Sequence, residues 1–202
     1  MYSIRIARTV DAEEIARVHV QCWEECYPFL PAEIRRARNL DSRLSLWMSR
    51  LGCKDTARTW VLEDAGRIVG FAHLVPNTDP EIPAADAELH ACYFLPEYRG
   101  TTAGPKMMTV MLRYALANGW GTFCIWAWRD NPIRITYRAL GLTPVVRRDR
   151  ELCGYSAPEV GYYHADATAM IEKLDNMVTQ IELRGDGRRS LRRSAVRHRP
   201  TA

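Results

Sequence analysis

The 202-residue chain lacks any apolar run near the ~18 to 20 residues that a membrane-spanning helix needs. Its amino-terminal stretch, Ser3-Ile4-Arg5-Ile6-Ala7-Arg8, has no apolar segment of the kind a secretory signal carries. The two absences point to a soluble, unexported, cytoplasmic protein with no membrane partner. Cysteine pairing is missing too. Cys22, Cys26, Cys53, Cys92, Cys124 and Cys153 form no C-x-x-C pair and have no histidine set beside them, so they read as reduced structural thiols. Cys22 and Cys26 stand four apart on what reads as one helix face, but two ligands fall short of a structural zinc site, and no metal is expected. No internal repeat is visible. At this length, with 47% hydrophobic residues, one compact domain with a short appendage is expected.

A net charge of +4 misdescribes the body of the chain, because residues 184–202 hold seven arginines against one aspartate. Without that segment the acidic side chains slightly outnumber the basic ones, so the basic character belongs to the tail. The chain therefore divides into a domain over 1–183 and a basic tail over 184–202, which is expected to be disordered. Any nucleic-acid contact is confined to that tail, where counterion release would make it salt-dependent.

Ile4 and Ile6 alternate with polar neighbours as in a half-buried strand, and Asp11-Ala12-Glu13-Glu14 has the spacing of a helix-opening capping box. Ile15, Val18, Cys22 and Cys26 then recur at helical spacing up to Tyr27-Pro28, where the proline disfavours further helix. A second helical stretch starts at Pro31, breaks near Asn39 to Ser42 and stops at Gly52. Thr59 to Leu62 and Arg67 to Ala72 flank Asp64-Ala65-Gly66 as a β-hairpin, and Ala87 to Leu95 reads as a fourth strand. A helix opening at Pro105 carries Met107, Val110, Met111 and Tyr114 on one face, a stripe that reads as core. Thr122 to Trp128 is a fifth strand and Ile133 to Leu140 a short helix ended by Gly141. Pro144 to Arg150 and Glu159 to His164 form two more strands, and Thr168 to Leu183 a last helix. Such alternation argues for an α/β fold in which helices cover a mixed sheet.

Between Cys92 and Gly104 a strand enters a turn of small residues that opens a helix. Helix starts present N–H groups without internal acceptors and carry partial positive charge, so this turn reads as an anion cradle. A ligand-free strand-to-helix turn would use similar residues.

The run Pro96-Glu97-Tyr98-Arg99-Gly100, with Gly104 following, resembles the acetyl-coenzyme A motif of the GCN5-related N-acetyltransferase (GNAT) superfamily. That family usually shows Arg/Gln-x-x-Gly-x-Gly/Ala; here Thr102 replaces the middle glycine and Pro105 removes an N–H just beyond it. The resemblance implies a GNAT-type acyl-CoA N-acyltransferase fold, a mostly antiparallel mixed sheet of about seven strands flanked by helices. It also implies acetyl-CoA as acyl donor. Backbone groups of Cys92 and Phe94 would meet its pantetheine arm, and Gly100, Thr101, Thr102, Ala103 and Gly104 would wrap its pyrophosphate, with Tyr93 and Arg99 also among the cofactor-binding residues. The fourth strand would splay from the fifth.

Asn131-Pro132, Tyr137 and Leu140-Gly141-Leu142 are similar to the family's Asn-Pro…Phe-Tyr…Leu-Gly-Phe signature, with one residue fewer between Asn131 and Tyr137. The resemblance makes Tyr137 the proton donor to the departing thiolate and Asn131 a cofactor-binding residue. A base must also free the acceptor's lone pair, and Glu88 is the candidate. By strand alternation Glu88 shares one side with His90, Cys92 and Phe94. Cys92 reads as an ordinary thiol, so acetyl transfer to a primary amine, on a small molecule or a protein, is expected to be direct. Trp23, Glu24, Tyr27, Trp47 and Tyr162 supply aromatic and acidic surface for a cationic acceptor, or alternatively fill the core between helix and sheet. Two other functions stand beside this one: a degenerate acyl-CoA-binding module, or an RNA-associated acetyltransferase that uses an aminoacyl-tRNA and its arginine tail. A homodimer is the assembly considered.

Overall fold

A computed structural model describes residues 2–53 and 56–197, with side chains as far as Arg184. Seven strands form one sheet: β1 (Ser3–Ile6), β2 (Arg58–Asp64), β3 (Arg67–Pro76), β4 (Ala87–Phe94), β5 (Phe123–Trp128), β6 (Thr143–Leu152) and β7 (Tyr155–His164). Their spatial order is β1-β2-β3-β4-β5-β7-β6, and every neighbouring pair is antiparallel except β4 and β5. The helices are α1 (Ala12–Cys26), α2 (Ala32–Arg36), α3 (Leu40–Gly52), α4 (Ala103–Ala117), α5 (Arg134–Leu140) and α6 (Ala167–Arg197). Among the described residues, no helix is long and apolar enough to cross a membrane.

The two sheet faces bury different helices. Ile15, Ala16 and Cys22 of α1 and Trp47 of α3 pack on Val61, Ile68 and Phe71. On the opposite face, Met107, Met111 and Leu112 of α4 and Met170 and Leu174 of α6 pack on Leu62, Leu74 and Ile125. The α4 methionine stripe is therefore core. Each face follows from the period-2 alternation of β2 and β3, which sends Val61 and Phe71 one way and Leu62 and Ala72 the other.

Local chemistry sets the element ends. Asn39 caps α3 by accepting from the Ser42 N–H at 2.9 Å, which explains the break after α2. Ala65 and Gly66 both take positive φ, 49° and 76°, the requirement of the type I′ turn that joins β2 to β3. Cys153 and Gly154 repeat this pattern, 49° and 79°, so β6 and β7 extend through residues that the sequence reading left as loop. Helix α6 likewise runs past Leu183 to Arg197, into the segment expected to be disordered. That segment continues a helix already begun, so each added residue gains a hydrogen bond without a new nucleation step.

Gly70 of β3 lies opposite Phe94 of β4. A Cβ there would run into the Phe94 ring and stand 2.9 Å from the Tyr93 carbonyl oxygen. Gly70→Ala is expected to cost about 1–3 kcal/mol of stability, the usual penalty of overpacking, in a urea titration; an unchanged midpoint would contradict this packing.

Two histidines sit in the α1–α3 core. The Trp47 indole N–H donates to His19 Nδ1 at 3.1 Å, and His73 Nδ1 lies 2.9 Å from Thr59 Oγ1. Burial, then the charges of Arg43, Arg38, Arg50 and His90, push His19 from 6.5 down to about 2. Burial, then Arg50 and His90, push His73 down to about 3. Below pH 6.5 the unfolded chain takes up protons that the folded core refuses, so stability is present above that pH and falls as pH drops toward those lowered values. The slope is at most about 1.4 kcal/mol per pH unit for each histidine. Urea midpoints measured between pH 7 and 4 are expected to depend less steeply on pH in His19→Gln than in the parent, and equal slopes would contradict the buried neutral ring.

Candidate active site

The sheet opens between β4 and β5. Their parallel pairing consists of Ala87 with Phe123 and Glu88 with Cys124, and it ends there although both strands continue. Beyond Glu88 the facing edge of β4 has no strand beside it. The Leu95 N–H bonds the Val69 carbonyl at 2.9 Å on the β3 side. Alternation along the strand therefore turns the Cys92 and Phe94 N–H groups toward the gap.

A bulge in β4 decides which side chains enter it. His73 pairs with Ala91 and Leu74 with Leu89, which leaves His90 as the extra residue. Ahead of it Leu89 packs on the α4 face; after it Ala91 packs on the α1 face. Tyr93 follows Ala91 to the α1 face, and Phe94 packs on the α4 face. The expectation that Glu88, His90, Cys92 and Phe94 share one side is thus corrected. Glu88 and His90 belong to the α1–α3 side, and Cys92, opposite Ala72, belongs with Phe94.

On the α1–α3 side, Arg50 Nη2 lies 3.0 Å from His90 Nε2, and His90 Nδ1 lies 2.8 Å from Glu88 Oε1. A guanidinium only donates, so Nε2 accepts and Nδ1 carries the proton it gives to Glu88. This chain holds Glu88 at the vertex of the gap. The sequence reading missed Arg50, although Arg43 and Arg50 stand seven apart, on one helix face, flanking Trp47.

On the α4 side, Tyr137 of α5 is half-buried, with its ring 5.7 Å from that of Tyr162. Gly141, at φ 97°, ends α5, and the Leu142 N–H closes on the Tyr137 carbonyl at 3.0 Å. Burial, then Cys92, Tyr93 and Tyr162, raise the Tyr137 phenol well above its usual value. Cys92 is exposed in the gap, and the protein around it pushes its thiol up to about 12. A phenol so placed stays protonated through neutral pH, and a thiolate formed beside it is a strong base.

The β4–α4 turn forms the expected cradle. Gly100 has φ 68°, and the amides of Gly100, Thr101, Thr102 and Gly104 have no acceptor among the described residues. The Ala103 N–H is taken at 3.2 Å by Thr101 Oγ1, and Pro105 has no N–H. The Thr102 hydroxyl is hydrogen-bonded to the Tyr2 hydroxyl, which turns this side chain toward β1. Arg99 folds back: its Nε donates to the Phe94 carbonyl at 2.8 Å and its Nη2 to Glu25 at 2.5 Å, tying α1 to the tip of β4.

The side chains of other expected site residues have partners within the protein. The Asn131 side chain accepts from the Ile133 N–H at 3.1 Å and so shapes the turn into α5. Tyr93 stacks on His19 and bonds Tyr27 at 2.9 Å through the two hydroxyls, which places its side chain in the α1 cluster. Trp47 and Tyr162 are wholly buried and Trp23 and Tyr27 nearly so, which makes them core. Glu24 is exposed and paired with Arg35. The tail's arginine side chains after Arg184 lie outside the described ones.

A cavity of about 780 Å³ lies apart from this gap, between β1, α4 and α6, lined by Tyr2, Thr102, Lys106 and Asp175 among others. The gap is a parting of strands with unsatisfied polar edges, and its chemistry outweighs its volume.

Residues 12–141 match the profile of the family described as Acetyltransferase (GNAT) family. The chain is 28% identical over 172 residues to Uncharacterized N-acetyltransferase YuaI of Bacillus subtilis, covering 84% of this chain and 96% of that relative. Among solved structures it is similar to PaiA N-acetyltransferase from Thermoplasma acidophilum in complex with coenzyme A. There the TM-score is 0.62 at 16% identity, over 81% of this chain and 99% of that one. It is also similar to yncA from Salmonella typhimurium, a putative acetyltransferase with its cofactor acetyl-CoA, at a TM-score of 0.59 and 17% identity, over 82% and 94%. The open seven-stranded sheet and the sequence match agree: the chain belongs to the acetyltransferase (GNAT) family and is an acyltransferase.

Proposed function

We propose that the protein transfers the acetyl group of acetyl-CoA directly to a primary amine inside the β4–β5 gap. The observation that carries this is the gap itself, with free β4 amides along its edge, Tyr137 on one sheet face and Glu88 on the other. The pantetheine arm pairs with Cys92 and Phe94 as a missing strand would, and the pyrophosphate takes the amides of Gly100 to Gly104. The likeness to proteins solved with coenzyme A and acetyl-CoA supports this donor. The amine approaches from the α1–α3 side and gives up a proton to Glu88, and its lone pair attacks the thioester carbonyl. As the C–S bond breaks, the thiolate takes the Tyr137 proton.

The surroundings that raise the phenol also raise a thiolate released beside it, in the same direction as the Cys92 thiol at the edge of the gap. The leaving group is therefore basic enough to take a proton from a weakened acid. The same raised thiol leaves Cys92 unsuited to be an acyl carrier, in keeping with direct transfer. Six free cysteines fit a cytoplasmic setting. In this reading residues 1–183 are the catalytic domain and 184–202 a basic appendage.

Tyr137→Phe is expected to lower kcat roughly 10²–10⁴-fold, the usual worth of a positioned acid, with acetyl-CoA affinity unchanged. An unchanged kcat would remove Tyr137 from the reaction. Because the phenol is raised, kcat of the parent should show no descending limb up to about pH 10. Glu88→Gln should be most defective at low pH, where the amine arrives protonated, with the defect shrinking as pH rises. A defect independent of pH would contradict its role as base.

A further inference from the structure

The α1–α3 side of the gap carries three arginines, of which Arg50 feels Glu88 through the His90 chain while Arg38 and Arg43 meet no carboxylate among the described residues. Arg38, Arg43 and Arg50 are all half-buried. Among the described residues none of them forms an ion pair with a carboxylate, whereas Arg5, Arg35 and Arg148, comparably covered, each do. The Arg38 guanidinium lies flat on the Trp23 ring, 3.9 Å from its centroid, and its Nε is buried without a hydrogen-bond partner. Arg43 has only a 3.4 Å contact from Nε to Ser42 Oγ, and Arg50 is engaged by His90. Arg38 lies over Trp23 and Arg50 over Trp47, two rings 6.5 and 5.8 Å from His19, which stacks on Tyr93 of β4 at 5.2 Å, and Arg43 acts on both His19 and Tyr93.

Gathering like charges in partial burial, with donors unused, costs stability unless something at the site returns it. A planar guanidinium is matched by a carboxylate or phosphate, which takes two parallel N–H bonds. Of the two readings open for Trp23, Tyr27, Trp47 and Tyr162, their burial supports core filling, and Glu24 is paired with Arg35. On this side of the gap the carboxylate of Glu88 is held by His90, and the side chains left without a carboxylate partner are cationic.

We propose that the acceptor is a small amine that also carries an anionic group, a carboxylate or a phosphonate, held by Arg38 and Arg43 while its amino group reaches toward Glu88. The proposal rests on the acetyl-transfer reading and narrows its acceptor class. Arg50 keeps its bond to His90 and positions the base. Polyamines, which offer only positive charge, are repelled by this wall.

The test has a binding arm and a turnover arm. Thermal denaturation of the full chain, of Arg38→Gln, of Arg43→Gln and of the double variant is followed in sulfate against chloride at equal ionic strength. Acetyl-CoA binding by each protein serves as the check that it folds. Sulfate is expected to raise the melting temperature of the parent saturably and to lose that effect in the double variant. Equal shifts in parent and double variant would overturn the proposal. In the turnover arm, coenzyme A release is measured with amino acids, aminoalkyl phosphonates, the corresponding carboxamides and spermidine. The anionic amines are expected to exceed their carboxamides at least tenfold in kcat/KM, a preference that Arg43→Gln flattens. Carboxamides or spermidine turned over as well as the acids would overturn it. Failure to bind acetyl-CoA, with the sulfate effect intact, would defeat the transferase reading and leave the anion site standing.

Discussion

A parallel ladder that stops after Glu88 and Cys124 leaves the middle of a sheet with two internal edges. Unpaired backbone N–H and C=O groups inside a protein demand partners, and here the partner is absent over the length of β4 that leads to the α4 turn. The cost is tolerable because both strands are anchored on their outer sides, β4 by β3 and β5 by β7. Arg99 adds a clamp at the open end by tying the Phe94 carbonyl to Glu25 of α1. The rest of the molecule can be read as support for this opening: helices on each face hold the two halves of the sheet apart and provide its walls.

The bulge at His90 gives the opening two chemically different sides. Without it, the side chains of Glu88, His90, Cys92 and Phe94 would point one way. With it, a carboxylate fixed by an Arg50–His90 chain lies on one face and the half-buried Tyr137 hydroxyl on the other. In the proposed reaction, donor and acceptor enter from opposite faces and react in the plane of the sheet. Desolvation serves both sides. It keeps the Tyr137 phenol loaded with its proton and makes the unpaired arginines near Tyr93 a strong attraction for an anion.

Much of this was legible in the residues. The hairpin around Ala65-Gly66, the stop at Tyr27-Pro28, the α4 stripe and the Gly100 turn each have a local cause that the sequence states directly. The seven strands and the β4–β5 splay followed from the resemblance to the GNAT superfamily. The bulge was not legible, because strand alternation in β4 is regular in sequence and the extra residue is forced by pairing with β3. The arginine wall was missed because Arg38, Arg43 and Arg50 look like solvated helix charges until α1 and Tyr93 are packed against them. Thr102 stands where the family shows a glycine, and its hydroxyl is drawn to Tyr2, a contact between residues far apart in the chain.

The central claim, that the parted β4 edge receives the donor, is tested most directly by amide hydrogen exchange of individual residues with and without saturating acetyl-CoA. The account predicts that the Cys92 and Phe94 amides exchange fast in the free protein and become protected on binding, together with those of Gly100 to Gly104. Unchanged exchange at Cys92 and Phe94, with protection instead around the cavity between β1, α4 and α6, would contradict it.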